Sequence, residues 1–442
     1  MKRLLVVQFS ALPCLILWSV LTLAAAPQNQ AEADHPTLLK AARLFDGVSG
    51  SVIDDGMVLV EGNKISAVGQ NLNVPEGARV VDLGDATLLP GFIDSHVHLT
   101  MQMSDNWYKD FYQGMFRFPA EQALYAEMYA RRTLEAGFTT VRNVGASDWV
   151  DIGLRNAINA GVAEGPRILA AAHAIGATAG HADQGPFPPD VVKPLGPIEG
   201  ICNGPAECRA AVRYQIKYGA DVIKFMPSGG VLSAADPVDV PELSQEEMDA
   251  IVSEAHAWNR KVAAHCHGDK AAKMAIQAGV DSIEHGSFLK DDTLELMKEK
   301  GVYLVPTLFA GWWVGRKADS YPPQIAEKAR AAAAQMQIMF QHAVRIGVPV
   351  AFGTDAAVEP HGMNAREFSL MVKNGLSPAQ ALLTASHNAA DLLGISDITG
   401  SLEAGKAADV VAVPGNPLED ISVTEHPLMV MKGGAIVVGP KN

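Results

Sequence analysis

Between residues 90 and 400 the chain alternates short apolar runs with longer stretches whose apolar residues recur every three or four positions. This alternation predicts strands separated by helices, the mark of a parallel α/β unit. The strand-like runs are Gly91–His98, Thr139–Gly145, Arg167–Ala172, Val222–Met226, Val262–Cys266, Ser282–Gly286, Tyr303–Leu308 and Val350–Asp355. The first follows Pro90-Gly91 and is apolar enough to read as a strand buried on both faces. Ser244-Gln-Glu-Glu-Met-Asp-Ala-Ile shows how the helices begin, with a serine, a glutamate three positions on to cap it reciprocally, and an apolar stripe. Eight strands in this arrangement predict a (β/α)8 TIM-like barrel over residues 90–400.

Outside that region the period shortens. Residues 36–89 carry alternating strand patterns, with Glu61-Gly62-Asn63-Lys64 as a hairpin turn, and the last forty residues repeat the character in Gly405–Pro414 and Met429–Val438. A small β-sandwich domain built from both chain ends, residues 27–89 and 401–442, is therefore expected around an inserted barrel. Ahead of it, Met1-Lys2-Arg3, an apolar stretch to about Leu23 and Ala24-Ala25-Ala26 predict a signal peptide over residues 1–26. Export to the periplasm or the medium follows, with the membrane met only through that segment. An uncleaved anchor is the alternative, because the stretch approaches spanning length.

Composition is that of a globular soluble protein: 48% of residues are apolar, 19% charged, and the formal charge is −14. No cluster of Lys and Arg forms a basic stripe, which excludes nucleic acid as a partner. In an oxidising compartment Cys202 and Cys208, either side of Asn203-Gly-Pro-Ala-Glu207, can close a short disulfide or remain free thiols. Cys266 reads as a small core residue.

The chemistry sits at the ends of the apolar runs. His96-Val97-His98 places two imidazoles on one side of a strand, since side chains at i and i+2 share a face. Lys224, His265, His285 and Asp355 each end a later run. Singly, each has an ordinary scaffold reading. In a parallel barrel, however, all these strand ends open on one face, where active sites are built. Six ligand-type residues there predict a metal site.

With these residues placed, the chain resembles the metal-dependent amidohydrolase superfamily, in its imidazolonepropionase-like and prolidase-like branch. Within it the likeness is to the members that hydrolyse ochratoxin A. The residues that carry it are Pro90-Gly-Phe-Ile-Asp-Ser-His-Val-His98, Gly353-Thr-Asp355-Ala, Gly375-Leu-Ser-Pro-Ala-Gln-Ala-Leu and Gly405-Lys-Ala-Ala-Asp409. The resemblance implies two divalent ions, one on His96, His98 and Asp355 and one on His265 and His285. Lys224, carbamylated by CO2, would bridge them. Its apolar neighbours Ile223 and Phe225 favour the neutral, nucleophilic amine that carbamylation requires. Imidazolonepropionase works with one metal and has no such lysine, so Lys224 argues against that activity. Imidazole and carboxylate ligands suit zinc, with Mn, Co and Fe as alternatives.

Metals held there make water a nucleophile near neutral pH, while Asp355 takes its proton and returns it to the departing amine. His267, one alternation beyond His265, is the candidate donor to the developing oxyanion, with a structural role as its alternative. Substrate contacts are expected from loops after the strands. Trp312 and Trp313 read as pocket walls, and His173, His181, His361 and Arg142 as candidate partners for a substrate carboxylate or carbonyl. His181 is preferred because Gly180 leaves room beside it. Trp107, Tyr108, Phe111, Tyr112, Phe116 and Phe118 read as helix core rather than pocket. The expected activity is hydrolysis of an amide to a C-terminal aromatic or apolar amino acid, with ochratoxin A as a candidate substrate. A Xaa-Pro dipeptidase and a cyclic amide or lactone hydrolase are the alternatives, and a homo-oligomer is the expected assembly. A silent binding protein on this fold would have lost a ligand, and none is missing.

Overall fold

Alternating valine, leucine and isoleucine in the first described residues build a ladder. β1 (Thr37–Phe45) pairs antiparallel with β2 (Val52–Glu61), Leu39 opposite Val58. β2 returns into β3 (Lys64–Gly69) across Gly62-Asn63, where Gly62 adopts φ 59°, as a tight hairpin requires. β4 (Arg79–Asp82) runs parallel to the first half of β1, and β5 (Ala86–Pro90) to its second half. The computed structural model describes residues 35–440 apart from 184, 186, 234 and 235. The predicted signal peptide thus lies outside the described residues.

After β5 come the parallel strands. β6 (Phe92–Val97), β7 (Phe138–Asn143) and β8 (Arg167–Ala170) form one sheet. β9 (Val222–Phe225), β10 (Lys261–Cys266), β11 (Ser282–His285) and β12 (Tyr303–Val305) form a second. A bridge between Ile175 and Phe225 joins the two. Helices lie between successive strands, among them Gln245–Ala257, which starts at the reciprocal Ser244–Glu247 cap read from the sequence. Ile223, Val262, Ile283 and Leu304 belong to the apolar core shared by strands and helices.

Two predicted strands are shorter or less regular than their apolar runs. β12 stops at Val305 because Pro306 has no N–H to give and Thr307 turns left-handed, φ 49°, before the helix Leu308–Arg316. Residues 350–355 form no ladder. Isolated bridges join Val350 to Leu304 and Ala356 to Val97, while Asp355 N–H donates to the His96 carbonyl at 2.8 Å. Asp355 itself is left-handed, φ 68°, which ends any regular extension.

The chain then returns to the first sheet. β13 (Val410–Pro414) lies antiparallel to β5, Val411 opposite Leu89, followed by β14 (Met429–Lys432) and β15 (Ala435–Val438). Hydrogen bonding joins strands from residues 37–90 and 410–438 in one eight-stranded sheet that divides at β1, where two facing sheets were expected. Leu39, Val58, Leu88, Val410 and Met429 fill a common apolar cluster. Cys202 and Cys208 are joined by a disulfide with a Cα–Cα distance of 5.0 Å. Cys266 is buried and free, and burial pushes its thiol up to about 12. Among the described residues no helix is long and apolar enough to cross a membrane.

Candidate metal centre

The strand ends converge. His96 Nε2 and His98 Nε2 each lie 3.4 Å from Asp355 Oδ1, and Lys224 Nζ lies 3.5 Å from His96 Nε2. The His285 ring packs 4.8 Å from that of His96 and 4.7 Å from that of His265. Two groups of ligand atoms lie within 4.8 Å of one another, His96 with His285 and Asp355, and His265 with His267 and His285. His285 and Asp355 are both left-handed, at φ 69° and 68°. Non-glycine residues pay for that conformation, and such strain gathers at functional sites.

The partners of each ring dictate which nitrogen faces the centre. His96 Nδ1 lies 2.7 Å from Glu284 Oε2 and His98 Nδ1 3.2 Å from the Gly145 carbonyl. Both partners only accept, so Nδ1 carries the hydrogen and Nε2 presents its lone pair. His285 Nδ1 meets Thr307 Oγ1 and His267 Nδ1 meets Ser287 Oγ, each at 2.8 Å. His265 Nε2 is buried without a hydrogen-bond partner. A buried imidazole nitrogen left free among imidazoles and a carboxylate is what a cation-binding site needs.

Electrostatics keep the set in ligand form. Burial, reinforced by neighbouring imidazoles, holds His265 and His285 well below the usual histidine value. For Asp355 burial works the other way, yet His96 and His98 outweigh it and keep the carboxyl well below 3.8. Burial lowers Lys224 to about 8, against the pull of Glu284 and Asp355. A substantial fraction of the amine is then neutral near physiological pH, the form that attacks CO2. Burial also lowers His267 to about 3.

Glu284 was not singled out in the sequence, because strand alternation places it opposite His285. The left-handed turn at His285 breaks that rule. Glu284 accepts from Ser282 Oγ and from Arg142 Nη2, the latter at 2.8 Å, while bonding His96. Burial alone would raise its pKa, but Arg142 and His96 bring it down to about 2. Asp94, two positions before His96, accepts from the Thr354 hydroxyl at 2.7 Å and Asn364 Nδ2 at 2.8 Å, and burial lifts it to about 6. Glu367 accepts from the N–H groups of Leu308 and Phe309, fixing the helix that follows Thr307. Glu359 is buried with neither carboxyl oxygen partnered, and burial pushes its pKa well above 4.5.

The expected substrate residues divide. His181 joins the centre, its ring 4.4 Å from that of His265. Its Nδ1 lies 2.9 Å from Ser233 Oγ, which donates to Asp236 Oδ2 at 2.7 Å. The Ser233 hydrogen being committed, His181 Nδ1 donates and its Nε2 is an acceptor. Arg142 does not reach substrate space: it is fully buried, bonding the Ser95 carbonyl, Ser282 and Glu284. His361 is likewise taken by the scaffold, its Nε2 2.9 Å from the Met101 carbonyl and its ring stacked on Tyr129. His173 packs edge-on against Trp149. Trp312 and Trp313 are half-buried on Leu308–Arg316, under Arg316 and Lys317 respectively.

The segment expected as helix core lies on the surface instead. Helix Trp107–Gly114 has no buried residue, and Tyr108, Tyr112, Phe116 and Phe118 are more than half exposed. Phe111 stacks between Trp107 and Phe187, and Asp105 pairs with Lys317. The apolar spacing was helical, but among the described residues no helix or strand buries it.

Parallel strands end in histidines and a lysine, with Asp355 on the bridged stretch beside them, and comparison with known proteins says which class of hydrolase this is. The amidohydrolase family model matches residues 87–437. The chain is 33% identical over 428 residues to ochratoxinase of Aspergillus niger, covering 91% of this chain and 87% of that protein. The crystal structure of A. niger ochratoxinase superposes with a TM-score of 0.81 at 32% identity, over 92% of this chain and 96% of that one. A Xaa-Pro dipeptidase crystallised with methionine in its active site gives a TM-score of 0.87 at 42% identity, over 91% of this chain and all of that one (100%). Imidazolonepropionase of Deinococcus radiodurans is 26% identical over 398 residues, 84% of this chain and 89% of that protein. The chain belongs to the amidohydrolase family.

Proposed function

We propose that this chain is a binuclear, zinc-dependent amidohydrolase that cleaves an amide to a C-terminal aromatic or apolar amino acid, ochratoxin A being a candidate substrate. The observation that carries the reading is the convergence of His96, His98 and His285 on the partly buried Asp355, with Lys224 beside His96. His96, His98 and Asp355 would hold one ion, His265 and His285 the other, and Lys224, as its carbamate, would bridge them. When bound, the ions supply Lewis acidity and a water acidified to near neutrality. Asp355 accepts the proton of the attacking water and delivers it to the leaving amine. His267, whose Nδ1 can accept the Ser287 hydroxyl hydrogen, is free to donate from Nε2 to the developing oxyanion. The bridged stretch 350–356 is read as the eighth strand of a closed (β/α)8 barrel, supported by its bonds to β12 and β6.

Likeness to ochratoxinase supports this choice of amide. A second reading, hydrolysis of Xaa-Pro dipeptides, is favoured by the higher structural similarity to the dipeptidase. Purified enzyme supplied with zinc and bicarbonate separates the two. Phenylalanine released from ochratoxin A or an N-acyl-phenylalanine supports the first reading. Proline released from dipeptides, with no turnover of N-acyl-phenylalanine, replaces it with the second.

A further inference from the structure

Both readings give the substrate a free carboxylate beside the scissile amide, and a buried site must meet that charge with a cation. The candidates named from the sequence do not supply one. Arg142 is fully buried and held by Glu284, Ser282 and a carbonyl. His361 is bound to the scaffold, and neutral His181 turns a lone pair towards the centre.

Lys328 differs from these. It projects from the helix Pro323–Ile346, and its Nζ donates to the carbonyls of Gly230 and Asp236 at 2.7 and 2.8 Å. No carboxylate forms an ion pair with it among the described residues. Asp236 spends its Oδ2 on the Ser233 hydroxyl and the Gly230 N–H. The net shift of the Lys328 pKa is downward, driven by burial against the pull of Asp236 and Glu242. An ammonium short of counter-charge behaves in this way.

Lys328 also lines a cavity of about 390 Å³ with Pro237, Val238, Asp239, Phe288, Glu327 and Ala331. The cavity abuts the centre. Phe288 N–H donates to the His267 carbonyl, and the backbone of Asp239, another wall residue, packs against Gly268 closely enough to forbid a Cβ there. The hollow is mainly apolar, and among its lining residues Lys328 is the one cation, set against the acids Asp239 and Glu327; its ammonium is therefore the group there that can meet a substrate carboxylate, while the apolar walls suit an apolar side chain.

We propose that Lys328 binds the carboxylate of the amino acid to be released while Val238, Phe288 and Ala331 receive its side chain. The inference rests on the proposed amide hydrolysis and holds for either substrate reading. It makes Lys328 a specificity residue, with one N–H left for substrate after its two loop bonds.

The test compares N-acyl-phenylalanine with the matching N-acyl-2-phenylethylamine, which keeps the amide and the ring but lacks the carboxylate. Wild type, Lys328→Gln and Lys328→Arg are assayed alongside phenylalanine as a product inhibitor, with melting temperature as a check on folding. For Lys328→Gln the loss of kcat/KM should be about 10- to 100-fold greater on the carboxylate substrate, the factor for a charged hydrogen bond. The loss should fall mainly on KM, phenylalanine inhibition should weaken in parallel, and Lys328→Arg should recover part of both. Equal losses on the two substrates, or unchanged inhibition by phenylalanine, would overturn the inference and leave Lys328 as a pin for the 230–236 loop. If wild type turns over neither amide but binds phenylalanine through Lys328, it is the proposed reaction that fails.

Discussion

Asp355 and the histidines beside it make opposite demands on burial. The imidazoles must stay neutral to offer a lone pair, and burial helps them. The carboxyl must stay ionised, which burial opposes. In the proposed mechanism Asp355→Asn retains an oxygen for coordination but cannot accept a proton. Turnover should then fall by about 10²–10⁴, typical of a general acid–base group, with metal content largely kept. Steady-state kinetics beside elemental analysis check this, and near-full turnover with both metals would assign the base elsewhere. Glu284→Gln should act through His96 instead, weakening metal affinity by about 10- to 100-fold in chelator competition. The charge of Glu284 also links stability to pH. Its folded pKa is depressed to about 2, so its contribution is complete above 4.5 and lost as pH falls towards 2. Neither Glu284 nor the fate of Arg142 was legible from sequence. Each depends on a partner more than a hundred residues away, and a strand-end arginine looks the same whether a glutamate or a substrate awaits it.

At the scale of elements, a short apolar run was enough to place β6 to β11, since burial on both faces, complete in β6, β7, β9 and β11, leaves little choice of residue. The departures arise where backbone conformation intervenes. Pro306 and the left-handed Thr307 cut β12 short, and the left-handed Asp355 keeps residues 350–355 from forming a ladder. Hydrophobic pattern does not encode such turns at non-glycine residues. The exposed helix Trp107–Gly114 shows the reverse limit, because a helical apolar pattern cannot say whether a partner element exists. Helix Leu308–Arg316, which follows β12, carries Trp312 and Trp313 half-buried. If they wall the pocket, truncating either to Ala should raise the barrier for aromatic substrates by about 1–3 kcal/mol and affect an N-acyl-glycine much less. Equal losses on both substrates with a lowered melting temperature would mark them as scaffold.

For the molecule as a whole, β13 pairing with β5 ties the last strands to the first, so the parallel strands between them are anchored at both ends. That pairing was legible as a change of period at each terminus, whereas the branching of the sheet at β1 was not. Family membership fixes hydrolysis as the class of chemistry, and in the proposed two-metal site the second ion depends on Lys224, which would have to be carbamylated to serve as a ligand. The most direct test is elemental analysis of the full chain prepared with zinc and bicarbonate, beside Lys224→Ala prepared identically. The account predicts about two ions per wild-type chain, the stoichiometry of a bridged two-metal site, and loss of both the second ion and most activity in the variant. A single tightly held ion in wild type, with Lys224→Ala fully active, would contradict it.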